Sequence, residues 1–199
     1  MNHKMFIKKA IFGLALINSS MSISLANHEA KLQKFKLGSI TFAGEGCTAQ
    51  SHKIDKNGIF LINPKGFIVS TRGEQAVQRK ACTFALNYTL KPSEALRISK
   101  PFVSGVSRLT DDSAAQINYE LFFAGSQGQP LKLKLEGTTS RIGKNFKLSD
   151  KNQNYISECG KAGIIRGNAS LAINKNTSNE ISMALIKEMG LKIDTVNCN

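Results

Sequence analysis

Apolar and polar residues alternate along much of this chain, which is the pattern of β-strands with one buried face. At 131–136 three leucines occupy every second position, and Lys132, Lys134 and Glu136 lie between them. The segment 82–90 alternates in the same way and is followed by Pro92, which favours the end of a strand. Further strands are predicted at 38–42, 51–54, 59–62, 67–71, 102–109, 116–124, 145–148, 169–174 and 191–196.

The segments between these strands carry turn signals, and one of them is ambiguous. Asp-Lys-Asn-Gly at 55–58 separates two strand-like runs, and an Asn-Gly pair in this position is typical of a β-hairpin. Residues 179–189 could form a helix capped near Ser178 or a strand through 181–186. Many short strands predict an all-β protein, specifically a single β-sandwich of jelly-roll-like or Ig-like antiparallel sheets.

The first 26 residues have the features of a cleaved secretory signal. Three lysines precede the apolar run 10–17, which is far shorter than the ~20 residues of a transmembrane helix. Ser24 and Ala26 are small residues at the positions that signal peptidase reads, so we expect cleavage after Ala26 and a secreted or periplasmic product. The chain is expected to divide into a signal peptide (1–26), a flexible N-terminal segment (27–35) and a β-sandwich domain (36–199).

Export to an oxidising compartment predicts that the four cysteines form disulfides. Cys47, Cys82, Cys159 and Cys198 are far apart and include no C-x-x-C pair of the kind that binds zinc. Three pairings are possible, and Cys47–Cys82 with Cys159–Cys198 is favoured because it closes the two shortest loops. Each bond is expected to stabilise the protein by about 4 kcal/mol through loop entropy.

Short motifs around the cysteines resemble those of a family of secreted proteins. Gly-Glu-Gly-Cys at 44–47 resembles the family's G-x-G-C opening, and Arg-Lys-Ala-Cys at 79–82 resembles its RK-x-C segment. Cys159 followed by glycine and a last cysteine near the end of the chain complete the pattern. The family is known as domain of unknown function 4360, and the resemblance covers nearly all of the mature chain. It implies a strand rather than a helix at 181–186, and it implies no activity.

The sequence favours a non-catalytic protein without a cofactor, because it contains no recognisable catalytic motif. Only His28 and His52 are available after removal of the signal. One alternative is a copper-dependent polysaccharide oxidase, in which an N-terminal His28 chelates copper and His52 is the second ligand. That site requires cleavage after Asn27, whereas the expected cleavage leaves Asn27 as the first residue.

A calcium-binding sandwich module is a second alternative. Oxygen-bearing side chains occupy alternate positions, as in the first half of an EF-hand loop, at Asp150, Asn152 and Asn154. Glu158 could supply a further carboxylate. Tyr155 and Lys161 stand where that loop requires glycine and a bidentate glutamate, so a polar turn between strands is the favoured interpretation.

The formal net charge of +13 favours an acidic partner. No run reaches the five or six like charges of a nucleic-acid-binding tail, and export excludes an intracellular nucleic acid. The favoured interpretation is that lysines on exposed strands serve solubility. The partner is unknown from the sequence, and an anionic polysaccharide or the envelope surface is the alternative that the charge suggests. The candidate anion-binding residues are Arg79, Lys80, Lys132 and Lys134. The sequence therefore predicts an exported, disulfide-stabilised β-sandwich that acts through its surface.

Overall fold

The computed structural model describes most of the predicted sandwich domain, namely residues 35–72, 77–138, 142–175 and 180–198. The predicted signal peptide at 1–26 and the candidate ligand His28 lie outside these residues. Of the predicted flexible segment 27–35, only Phe35 is described, and its side chain is buried. No helix in the described part of the chain reaches the length and apolarity that a membrane crossing needs.

The described residues form antiparallel strands with short connections. The strands are Lys36–Ala43 (β1), Ala49–Ile54 (β2), Ile59–Lys65 (β3), Ile68–Thr71 (β4), Val77–Thr89 (β5), Glu94–Arg108 (β6), Ser113–Phe123 (β7), Leu131–Glu136 (β8), Lys144–Ser149 (β9), Asn154–Ile156 (β10), Gly163–Lys175 (β11) and Ser182–Asn197 (β12). A 3-10 helical turn, Glu45–Cys47, connects β1 to β2. The alternation of apolar and polar residues in the sequence therefore predicted the main type of structure correctly.

The strands build two sheets that pack face to face. Sheet A has the order β1-β5-β11-β7-β8, and sheet B has the order β10-β6-β12-β3-β2. In sheet B, β4 also pairs with β12, and β9 also pairs with β6. The ambiguous segment at 181–186 belongs to strand β12, which begins at Ser182 and pairs with β4 and β6. The predicted antiparallel β-sandwich is confirmed.

The hydrophobic core lies between the two sheets, because alternate residues of each strand point inward. In β5, Phe84, Leu86 and Tyr88 are buried, whereas Asn87 and Thr89 are exposed. In β8 the three leucines pack against the core while the residues between them are exposed. Exposed lysines on this edge strand of sheet A disfavour pairing with another sheet edge.

The predicted hairpin at 55–58 connects β2 to β3. The Asp55 carboxylate accepts hydrogen bonds from the N–H groups of Asn57 and Ile59, both at 2.8 Å. Gly58 has a φ of 77°, a conformation that favours glycine. The hydrogen bond from Ile59 is the main cause that holds the pKa of Asp55 below its ordinary value. The side chain at the start of the turn therefore fixes the hairpin geometry.

A β-bulge at Lys100 and Pro101 divides strand β6. Lys100 has a φ of 51°, and the pairing with β12 shifts between Gly190 and Lys192. Because proline has no N–H to donate, the ladder is interrupted here and the strand bends. On its other side, β6 pairs with β10 before the bulge and with β9 after it. One long strand thus pairs with two short antiparallel strands, one on each side of the bulge.

Candidate functional site

The outward-facing side chains of sheet A form a continuous surface, called here the polar face. Its residues lie in four cross-strand rows: Thr41, Ala85, Arg166 and Phe122; Ala43, Thr83, Asn168 and Glu120; Ala81, Ser170, Asn118 and Lys132; and Arg79, Ala172, Gln116 and Lys134. All of these side chains except Ser170 are exposed or half-buried. The face therefore presents amides, hydroxyls, methyl groups and charges to solvent.

Hydrogen bonds within and between strands orient several polar groups of this face. Asn118 Nδ2 donates to Ser170 Oγ at 3.2 Å, and Gln116 Nε2 donates to Asn118 Oδ1 at 3.4 Å. Thr83 Oγ1 donates to the backbone oxygen of Ala43 at 3.2 Å. Groups that are already held in place lose less conformational freedom when a ligand binds, which favours affinity.

A groove of about 350 Å³ opens on the polar face across β1, β5 and β11. Its outward-facing lining residues are Thr41, Ala43, Thr83, Ala85, Asn168 and Arg166, and it is called here the Arg166 groove. The volume lies near the lower end of the ~300–1,000 Å³ that small-molecule sites occupy. Small side chains keep its floor flat, and Arg166 is the charged residue among those that line it.

The surroundings of Arg166 leave its guanidinium group exposed. No ion pair joins Arg166 to another residue in the described part of the chain. Phe122 lies beside it on β7 and is half-buried. Glu120 lies on the same strand as Phe122, but its side chain packs against Gly128 in the turn that follows β7. The guanidinium group is therefore available to a ligand.

Three of the four candidate anion-binding residues share the polar face. Arg79 and Lys134 occupy one cross-strand row, three strand spacings or about 14 Å apart, and Lys132 belongs to the next row. Lys134 Nζ lies 2.6 Å from Glu136 Oε1, and both side chains are exposed. Lys80 points away from this face, and its Nζ donates to a backbone oxygen in the turn between β3 and β4.

The candidate calcium residues lie between β9 and the start of β11. Asp150 Oδ1 accepts a hydrogen bond from the N–H of Asn152 at 2.8 Å, and Asn154 Nδ2 donates to the Asn152 oxygen at 3.1 Å. Glu158 forms a hydrogen-bonded ion pair with Lys161, which lowers the pKa of Glu158. No three His, Cys, Asp or Glu side chains in the described residues cluster as metal ligands would. A calcium site here stays a prediction.

His52 lies beside a cluster of aromatic rings, on the edge strand β2 of sheet B. Its ring centroid is 6.1 Å from those of Phe42 and Phe60, and Phe84 completes the cluster at 6.5 Å from Phe42 and 6.1 Å from Phe60. The cluster joins β1 and β5 of sheet A to β2 and β3 of sheet B. The His52 side chain is exposed beside these rings, and the copper alternative, which also requires His28, extends outside the described residues.

Two disulfides are present, with the pairing that the loop lengths favoured. Cys47 and Cys82 have a Cα–Cα distance of 5.1 Å and are 7% and 1% exposed, so this bond is buried. Cys159 and Cys198 have a Cα–Cα distance of 6.1 Å, and Cys159 is exposed. The first bond joins the 3-10 turn to β5, and the second joins the segment before β11 to the end of β12.

The difference in exposure predicts that the two disulfides are reduced one after the other. Dithiothreitol should reduce Cys159–Cys198 first in the folded protein, because a thiolate must reach a sulfur to attack it. Alkylation of the freed thiols followed by peptide mass mapping would identify which bond opens. In guanidinium chloride both bonds should open at comparable rates. Simultaneous reduction in native buffer would contradict the prediction, since it would require the whole domain to unfold first.

The family model described as a domain of unknown function (DUF4360) matches residues 33–197 of this sequence. The chain belongs to the DUF4360 family. This match confirms the resemblance that was drawn from the motifs at 44–47 and 79–82. In this DUF4360 protein, the two motifs lie side by side because their cysteines are bonded to each other. No curated protein matches the sequence.

Several solved structures are distantly similar to the DUF4360 chain. The carbohydrate-binding module TmCBM61 in complex with β-1,4-galactotriose has 10% identity and a TM-score of 0.29, over 77% of this chain and 91% of that one. A structure from a study of promiscuous carbohydrate-binding modules of the β-sandwich superfamily has 8% identity and a TM-score of 0.26. The match covers 83% of this chain and 58% of that one. The enzymatically active domain of bacteriophage CBA120 tailspike protein 4 has 12% identity and a TM-score of 0.25. The match covers 82% of this chain and 20% of that one. Likenesses this distant carry no information about a ligand.

The sequence did not point to Arg166 and Asn168, because the strand there was predicted to begin only at 169. In the structure β11 begins at Gly163, and outward Arg166 and Asn168 alternate with buried residues. The alternation was hidden by glycine at 167, where a Cβ would overlap the ring of Phe84. In the sequence, Ile165, Gly167 and Ala169 alternate with Arg166 and Asn168, and this alternation could have extended the strand.

Proposed function

We propose that this DUF4360 protein is exported, is not an enzyme, and binds an anionic polysaccharide across the polar face. The observation that supports this most directly is that cations outnumber carboxylates among the outward residues of sheet A. Sheet A presents two outward carboxylates, Glu120 and Glu136, and Glu136 is already paired with Lys134. The cations on the same face are Arg79, Lys132, Lys134 and Arg166.

The extent and chemistry of the face suit a chain of sugars. Its four rows span roughly 20 Å along the strands, and its five strands span about the same distance across. Amide and hydroxyl groups of residues such as Gln116, Asn118 and Thr83 lie between the cations. Such groups hydrogen-bond to sugar hydroxyls, while the cations attract acidic substituents.

The remaining features support an exported, binding role. Disulfides persist in oxidising compartments, in agreement with the signal predicted at 1–26. A general acid or base must stand within hydrogen-bond reach of a reacting group. His52 lies at the surface beside two aromatic rings, and Glu136 is paired with Lys134; these surroundings support a binding role rather than a catalytic one.

Neutralising the face tests this proposal. The variant Arg79→Gln/Lys132→Gln/Lys134→Gln removes three charges that are worth roughly 0.5 kcal/mol each. Its affinity for polygalacturonate and for dextran sulfate should fall by about tenfold at low ionic strength. Titration followed by light scattering or calorimetry would measure this, and binding of the unmodified protein should weaken as salt is added.

The matched control removes three exposed lysines of sheet B and its turns, in the variant Lys53→Gln/Lys56→Gln/Lys187→Gln. It changes the net charge by the same amount and should alter affinity by less than about twofold, since these residues lie off the polar face. An equal loss in both triple variants would show that net charge, not the polar face, attracts the polymer. Absence of binding to either polymer by the unmodified protein would refute the proposal.

A further inference from the structure

The Arg166 groove differs from the rest of the polar face, because it combines one cation with a half-open cavity of about 350 Å³. We propose that this groove is a subsite for a single hexuronate residue, a sugar that carries a carboxylate. The inference rests on the proposed function and names the chemistry of the polymer that the face binds. It makes Arg166 the residue that selects a carboxylate, while the other cations attract negative charge in general.

The first argument comes from the guanidinium group of Arg166. A guanidinium group is a planar fork that donates two parallel hydrogen bonds to a carboxylate, whereas an ammonium group acts as a point charge. Arg166 is exposed and is not engaged in an ion pair with any other described residue. Lys132 and Lys134 lie on β8, two strands away from β11, so the groove has its own separate cation.

The second argument comes from the polar residues of the groove. Thr83 gives its hydroxyl proton to the backbone oxygen of Ala43, which leaves the Thr83 oxygen free to accept from a sugar hydroxyl. Thr41 offers a hydroxyl, and Asn168 offers both an amide donor and a carbonyl acceptor. A sugar ring carries hydroxyls that both donate and accept, so this mixed set is complementary to it.

The third argument comes from the apolar surface beside these groups. The methyl groups of Ala43 and Ala85 lie in adjacent rows of the groove, and Phe122 flanks Arg166 on the β7 side. Small side chains leave room for a sugar ring, and the C–H face of a sugar can pack on apolar groups. The volume of about 350 Å³ suits one or a few sugar units of a longer chain.

Glu120 sets the orientation of the bound carboxylate. Glu120 is on β7, in the cross-strand row next to the row that contains Arg166. Its side chain packs against Gly128, away from the groove centre. Like charges repel, so a ligand carboxylate should bind on the β1 side of Arg166 rather than toward β7. The variant Glu120→Gln should therefore raise affinity for a polyuronate by roughly twofold.

Three polymers separate carboxylate recognition from general attraction. Polygalacturonate carries carboxylates, its fully methyl-esterified form has the same backbone without charge, and dextran sulfate carries charge without carboxylates. The variant Arg166→Lys keeps the charge but removes the planar fork. Its affinity for polygalacturonate should fall by about tenfold, and its affinity for dextran sulfate should change by less than about twofold. Arg108→Lys makes the same exchange at an exposed position of sheet B, off the polar face, and should leave both affinities almost unchanged.

The outcomes distinguish this inference from the proposed function. The subsite is wrong, while polymer binding stands, if Arg166→Lys lowers the affinity for both charged polymers equally or for neither. The same conclusion follows if the unmodified protein binds dextran sulfate but not polygalacturonate. If the unmodified protein binds neither, both proposals fail. Circular dichroism and the urea midpoint of each variant would show that an exposed substitution leaves the fold intact. A loss of polygalacturonate binding that Arg108→Lys reproduces would also overturn the assignment to the groove.

Discussion

Replacing Cys47 and Cys82 together with alanine should lower the free energy of unfolding by about 4 kcal/mol. The bond closes a loop with a sequence separation of 35 residues, so its loss releases chain entropy in the unfolded state. Both sulfurs are also buried against the core, and their removal leaves a small void. Urea titration followed by circular dichroism would measure the change, because the chain has no tryptophan to report by fluorescence.

The double variant Cys159→Ala/Cys198→Ala is the natural control. Its loop is similar, with a separation of 39 residues, so the entropic contribution is about the same, roughly 4 kcal/mol. Because Cys159 is exposed, no buried void forms, and the total loss should be somewhat smaller than for the buried pair. A loss below about 1 kcal/mol for Cys47 and Cys82 would contradict the prediction. It would mean that packing of Gly46 against Phe67 holds the 3-10 turn on its own.

Replacing Phe84 with alanine should lower stability by about 4 kcal/mol and should also weaken polymer binding. The Phe84 ring is 3% exposed and contacts the rings of Phe42 and Phe60, so it links sheet A to sheet B. It also lies against Gly167, between the groove residues Arg166 and Asn168. Without the ring, the strand below the groove loses its support. Urea titration and binding at low temperature would measure the two effects separately.

A double-mutant cycle tests the contact between Phe84 and Gly167 directly. Gly167→Ala should destabilise the protein, because the added Cβ would overlap the Phe84 ring. When Phe84 is already alanine, the same change should have a much smaller effect, since residues in contact are not additive. Additive effects would contradict the packing described here. Phe84→Leu keeps an apolar side chain at this position and should lose much less stability than Phe84→Ala.

Local patterns in the sequence predicted those parts of the fold that depend on neighbouring residues. The leucine and lysine alternation of β8 predicted its buried and exposed sides, because a strand turns alternate residues to opposite faces. The Asp-Lys-Asn-Gly segment at 55–58 predicted its turn, because the Asp55 carboxylate bonds to the backbone that follows it. The cysteines predicted two disulfides, since spacing and an expected compartment were enough to pair them.

Features that depend on distant residues were not visible in the sequence. The first half of β6, before residue 102, was not predicted. Lys100 and Pro101 are typical of a strand end, although the strand continues through them. Strand β10, at Asn154–Ile156, was not predicted because three residues are too short for a pattern. The Arg166 groove exists only because the strand order places β5 between β1 and β11, which are far apart along the chain.

The bulge in β6 also determines where this domain can accept extra sequence. The turn at 150–153 is anchored at both ends, since the N–H of Asp150 donates to Pro101 and the N–H of Lys100 donates to Gln153, each at 3.2 Å. A peptide inserted after Lys151 would lengthen a surface loop whose ends stay fixed, and doubling a loop adds only about 0.6 kcal/mol. The domain could thus display a tag or a foreign epitope there while both sheets keep their register.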